Sequence, residues 1–68
     1  MLRITKERLD RQWRMEDVAR QVGITKPSIH QIEHGKNKPS FEVLVKLENL
    51  FGLTHRELFE EVDMEKAQ

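Results

Sequence analysis

The chain contains no cysteine, so neither a disulfide framework nor a thiolate metal site can supplement its core, and nothing points to an oxidising compartment. The cytoplasm is the expected location. No run approaches the roughly 18 apolar residues of a membrane span. The opening Met-Leu-Arg-Ile-Thr-Lys alternates apolar with charged residues where a signal peptide would need an apolar stretch. A soluble protein without membrane contact is therefore expected. Repeats, low-complexity tracts and linkers are also missing. The 68 residues allow one domain, because so short a chain buries only about 60% of the surface its unfolded form exposes. A deep catalytic cleft does not fit that size. Net charge is absent as well, with 12 Lys and Arg against 12 Asp and Glu.

The charge that is present lies unevenly. Met1 to Lys38 carries 9 Lys and Arg against 5 Asp and Glu, a balance of +4, whereas Pro39 to Gln68 carries 3 against 7, a balance of −4. Such a gradient fits a basic face offered to an anionic partner, with an acidic remainder turned away; a randomly mixed solvated surface is the competing explanation.

Apolar spacing predicts an all-α chain of five helices. Ile4, Leu9 and Trp13 suggest the first, and Val18, Ala19 and Val22 give the stripe of a second that Gly23 should end. A third begins after Thr25, whose hydroxyl can cap free amides. It carries Ile29 and Ile32 over about nine residues up to a stop at Gly35. The Gly35-Lys36-Asn37-Lys38-Pro39 segment reads as a loop, after which Ser40 can cap a fourth helix with Phe41, Leu44, Leu47, Leu50 and Phe51 at spacings of three and four. Gly52 closes it. Thr54-His55-Arg56-Glu57 has the form of a capping box and opens a fifth helix with Leu58, Phe59 and Val62. Residues 1–62 are expected to form the domain, and Asp63 to Gln68 a short acidic tail.

The junction of the second and third helices is the most informative feature, because a tight helix corner restricts which residues fit. Ala19 allows close approach, Gly23 can take a positive φ, and Val18, Val22, Ile24, Ile29 and Ile32 can fill the wedge. Any αα-hairpin would use some of these; their joint occurrence fits a helix-turn-helix. With Ile29 and Ile32 turned inward, a 100° step per residue puts Pro27, Gln31 and His34 opposite, with His30 at the border.

On these residues the sequence resembles the Cro/cI-type, or Xre, family of helix-turn-helix regulators of bacteria and their phages, over roughly Ile4 to Phe59. The resemblance is carried by Val18 to Thr25, Ser28 to Lys36, Lys38-Pro39-Ser40 and Gly52 to Phe59. It implies a compact five-helix, lambda-repressor-like domain whose third helix enters the major groove of double-stranded DNA, with the start of helix 2 and the loop after helix 3 holding phosphates. It also implies a non-enzymatic transcriptional regulator, a repressor, that needs no cofactor or small-molecule substrate and sits on the nucleoid when bound. Activator, restriction-modification controller and antitoxin roles would share the same domain, and a protein-docking adaptor would present an apolar face in place of the polar Gln31, His30 and His34.

The resemblance places base contacts at Lys26, Pro27 and Gln31, in agreement with the helical wheel. Lys26 could reach guanine O6 and N7, and Gln31 could pair with adenine N6 and N7. Pro27 departs from the polar residue usual at its position. It either packs on a thymine methyl or only stiffens the helix start. Arg14 and Met15 stand where the family has Ser or Thr followed by a phosphate-holding Gln, which shifts that contact by hypothesis to Arg14. Lys36, Asn37 and Lys38 suit phosphate anchoring, as do Ser28 and, beside the helix C-terminus, His34. Arg8 and Glu33 match a structural ion pair tying helix 1 to helix 3.

His30 to His34 also spells H-x-x-E-H, a zinc-peptidase signature. A chain this short cannot wall off a substrate cleft or easily supply a third ligand, so no metal is expected. Because few base contacts discriminate modestly, a homodimer on a palindromic operator is expected. Phe51, Phe59, Val62 and Met64 are candidate interface residues, although helical core positions would explain the first three equally well.

Overall fold

Residues 1–63 are described by the computed structural model. They form five helices: α1 (Arg3–Asp10), α2 (Met15–Val22), α3 (Lys26–Glu33), α4 (Phe41–Phe51) and α5 (His55–Leu58). Side-chain caps set three of the starts. Thr25 Oγ1 accepts from Ser28 N at 3.3 Å and Ser40 Oγ from Val43 N at 3.3 Å. Thr54 Oγ1 accepts from Glu57 N at 3.2 Å while Glu57 Oε1 accepts from Thr54 N at 3.0 Å, closing the capping box at α5.

A common device ends α1, α2 and α3. In each, a residue at positive φ donates its N–H three residues back and the next residue donates five back, the two bonds of a Schellman motif. At α2 these are Gly23 N to Arg20 O and Ile24 N to Ala19 O; at α3, Gly35 N to Ile32 O and Lys36 N to Gln31 O. At α1 the left-handed residue is Gln12, at φ 59°, with Gln12 N donating to Leu9 O and Trp13 N to Arg8 O. No glycine marks that end, which is why the spacing of apolar residues overruns it to Trp13.

Every helix contributes to one buried cluster: Ile4 from α1, Val18, Ala19 and Val22 from α2, Ile29 from α3, Leu47 and Phe51 from α4, and Leu58 from α5. Ile32 of α3 is also buried. Trp13, although outside α1, packs its ring 5.4 Å from that of Phe51. Arg11 lies over both rings and donates to the Phe51 carbonyl.

Four details depart from the apolar pattern. Leu9 is exposed while Arg8 is buried, because Ile4 and Leu9 stand about 140° apart on a helix and cannot share a narrow face, whereas Ile4 and Arg8 are one turn apart. Phe41, placed on the inner stripe of α4 by its spacing, is 81% exposed at the helix's first position. Helix α3 has 8 residues rather than about nine, with His34 as its cap. Helix α5 ends at Leu58, so Phe59 and Val62 lie beyond it. There the chain turns back along the N-terminus, with Arg3 N donating to Glu60 O and Val62 N to Met1 O, each at 2.8 Å.

Candidate nucleic-acid interface

The third helix is held on its inner side by apolar and ionic contacts at once. Ile29 and Ile32 enter the core, and Glu33, buried beside them, takes two bonds from Arg8, Nε to Oε2 at 2.7 Å and Nη2 to Oε1 at 3.1 Å. Thr5 Oγ1 adds a third at 3.1 Å, and the remaining Arg8 nitrogen donates to the Trp13 carbonyl at 3.0 Å. Among the described residues no buried side-chain nitrogen or oxygen lacks a partner, the condition under which a buried ion pair rigidifies instead of destabilising. The α1 to α3 tie thus fixes the rotation of α3 about its own axis. Thr5 is a contributor that sequence reasoning missed; its place three residues before Arg8, on the same face of α1, was the available signal.

The rotation leaves Lys26, Pro27, His30, Gln31 and His34 on the exposed side of α3. Gln31 has no side-chain hydrogen bond within the described residues, so both ends of its amide are free to pair outward. Ser28 is half-buried and its hydroxyl lies 3.0 Å from Thr25 Oγ1, an exchange within the helix start. The rings of His30 and His34 stack, centroids 4.1 Å apart, and His34 Nδ1 donates to the His30 carbonyl at 2.8 Å. That bond leaves the Nε2 of His34 directed away from its own backbone. Glu33 is buried and taken up by Arg8, whereas both imidazoles are exposed, so the H-x-x-E-H spelling does not gather its three side chains.

Electrostatics single out the ends of this helix. Arg3, Lys6, Arg8, Arg11, Arg14, Arg20 and Lys46 each lie within ion-pair distance of a carboxylate of the same chain. Among the described residues Lys26, Lys36, Lys38 and Arg56 do not, and all four are exposed. Lys26 opens α3, while Lys36 and Lys38 follow it on the loop with Asn37 between them. The bond from Lys36 N to Gln31 O folds that loop back against the helix end, so the two lysines stay beside α3.

Arg14 is the residue before α2, exposed, with its Nε 3.4 Å from Asp17 Oδ2. Asp17 is held below the ordinary carboxylate range chiefly by the bond it accepts from the Arg14 backbone N–H, then by the Arg14 side chain, with Arg20 adding to it. Asp17, in the first turn of α2, therefore sits between two guanidinium groups. Met15, which stands in place of an amide, is half-buried and packs against the core.

The residues expected at a dimer contact separate. Phe51 is corrected: it is 4% exposed and closed over by Trp13 and Arg11, so its apolar surface is spent inside the protomer. Phe59 and Val62 are half-buried near the paired chain ends. Met64 lies outside the described residues. No helix among those described is long and apolar enough to cross a membrane.

Comparison with known proteins agrees with this geometry. A helix-turn-helix family model matches residues 4–58. The HTH-type transcriptional regulator DdrOP3 of Deinococcus deserti is 33% identical over 61 residues, an alignment that takes in 90% of this chain and 47% of that relative. The chain thus spans about half the length of the curated relative it matches. An all-helical fold whose α2 and α3 meet at a left-handed glycine, matched over nearly its whole described length, places the chain in the Xre-type helix-turn-helix family.

Proposed function

We propose that the chain is a sequence-specific double-stranded DNA-binding domain of a transcriptional regulator, acting as a repressor in the cytoplasm, without catalytic activity or cofactor. It reads the major groove with α3, as a two-fold homodimer on a palindromic operator. The observation that carries this reading is the distribution of unneutralised charge. Where most of the described basic residues are tied to carboxylates of their own chain, Lys26, Lys36 and Lys38 bracket the exposed face of α3 with none. A cation already paired within its own chain gains little from a phosphate, whereas these three release counterions when they meet one. The relative's designation as a transcriptional regulator supports the same assignment.

In this reading Gln31 and Lys26 contact base edges, Pro27 lies against the groove floor, and His30 borders them. Lys36, Asn37, Lys38, Ser28 and His34 hold backbone phosphates, which position the helix without specifying sequence. Arg14 reaches a phosphate only by sharing its guanidinium with Asp17. Its contribution is therefore smaller than that of the loop lysines.

Titration of a fluorescent duplex at several salt concentrations tests the reading. A logarithmic affinity that falls steeply with salt, and a slope reduced by about one charge in Lys36→Ala, is the expected result. Binding that does not respond to salt, or no binding at low ionic strength, would reject it.

A further inference from the structure

The exposed pair His30 and His34 is the part of the α3 surface whose charge changes near neutral pH, since histidine gains and loses its proton between about pH 5 and 8. Their rings stack with centroids 4.1 Å apart, and His34 Nδ1 stands 2.8 Å from the His30 carbonyl. A carbonyl oxygen only accepts, so that nitrogen carries the hydrogen. The neutral ring then has a bare lone pair at Nε2, the atom directed away from the backbone. A lone pair repels a phosphate oxygen. We propose that His34 meets phosphate only as an imidazolium, so that each copy of the chain takes up one proton when it binds DNA. The inference rests on the proposed DNA reading and adds to it a dependence on pH.

Protonation needs no rearrangement of the ring. The bond from Nδ1 to the His30 carbonyl is kept, and Nε2 gains a hydrogen to donate in a charge-assisted bond. A neutral His34 donates from Nε2 only by moving its one hydrogen there, which breaks the carbonyl bond. His34 is also the C-cap of α3, where the helix dipole favours positive charge. The stack limits the uptake to one proton. Two imidazolium rings with centroids 4.1 Å apart repel each other, so the second ring stays neutral once the first is charged.

The charged groups around His34 are already engaged with one another. It shares an open cavity with Thr5, Glu33, Glu61 and Met1. Glu33 is held by Arg8 and Thr5, and Glu61 lies 3.5 Å from the Met1 ammonium group. Neither carboxylate comes within ion-pair distance of the His34 ring, whereas Glu48 stands 2.9 Å from that of His55. Helices α2 and α4 bring no charged side chain to the cavity. On the loop side, Lys36 follows two residues on with no carboxylate partner among the described residues. A phosphate is therefore the anion left to stabilise charge on His34.

Affinity for a mixed-sequence fluorescent duplex, measured at fixed low salt from about pH 5.5 to about pH 8, is the test, with circular dichroism at each pH as the control for folding. By linkage, a group charged in the complex and neutral in the free chain gives binding that is strongest below its free pKa and weakens as pH rises through its bound pKa. A fall of about tenfold across the range is expected. Calorimetry in two buffers of different ionisation enthalpy should show proton uptake approaching one per bound copy. His34→Gln, whose amide donates at any pH, should abolish both effects. His55→Gln should leave both in place, because His55 is engaged by Glu48. Binding that ignores pH and takes up no proton would overturn the inference and leave the DNA reading standing, as would a pH dependence that survives His34→Gln. No binding at any pH would overturn both.

Discussion

At the scale of single residues, the ion pair of Arg8 and Glu33 links stability to recognition. Both groups are nearly inaccessible, at 7% and 4%, and each satisfies the other through two bonds. Removing one leaves the other as an uncompensated buried charge, so Arg8→Ala should destabilise by about 3–5 kcal/mol in urea unfolding. A loss below about 1 kcal/mol would show that water reaches Glu33. Glu7 behaves differently. Its carboxylate is held below the usual range, first by the Arg11 guanidinium at 2.6 Å and then by Arg3 at 3.1 Å. A carboxyl whose folded pKa is depressed stabilises above its unfolded pKa, near 4.5, and that contribution is lost as pH falls through the folded value. Glu7→Gln should therefore lower the melting temperature at pH 7 and leave it nearly unchanged at pH 2, and equal losses at both would assign the effect to packing. On the proposed DNA-binding surface, Gln31→Ala should cost about 1–3 kcal/mol on a preferred duplex and relax one base preference, while Lys36→Ala weakens all duplexes alike. Equal losses for Gln31→Ala on preferred and random DNA would remove its reading role.

At the scale of helices, starts and stops explain both what the sequence discloses and what it conceals. Helices opened by Thr25, Ser40 and Thr54 and closed by Gly23, Gly35 and Gly52 were legible because each terminus needs a particular residue to satisfy its free backbone groups. The end of α1 was not legible, since Gln12 occupies the left-handed position where glycine would have been the signal. Relieving that strain gives a prediction. Gln12→Gly removes a penalty of about 1–2 kcal/mol at some entropic cost in the unfolded chain, for a net gain of about 0.5 kcal/mol and a melting temperature higher by about 2–4 °C. A lower melting temperature would mean that the Gln12 side chain contributes more than its backbone costs. The brevity of α5 was concealed for another reason. Phe59 and Val62 continue a helical spacing, but pairing of residues 60 to 62 with the N-terminus offers the same backbone groups long-range partners. Periodicity is a local signal and cannot register that competition. The exposed side of α3 was more legible, because Ile29 and Ile32 fix which side faces in and so which side is left outward.

At the scale of the whole molecule, a chain with no net charge can still present a strongly basic surface. Among the described residues its acids neutralise most of its bases within the fold, and three of the four cations left without partners, Lys26, Lys36 and Lys38, lie along one helix and the loop after it, the fourth being Arg56 on α5. The core, the ionic tie from α1 and the Schellman turn after α3 all act on that same helix, which stands in a fixed orientation between Lys26 and the loop lysines. Selection of bound duplexes from a randomised pool, followed by sequencing, tests the central claim most directly. The account predicts enrichment of a symmetric motif whose half-sites are centred about one helical turn apart, roughly 34 Å, with enrichment at one position lost in Gln31→Ala. A pool that emerges without enrichment would contradict sequence reading by α3, and with it the function proposed for this chain.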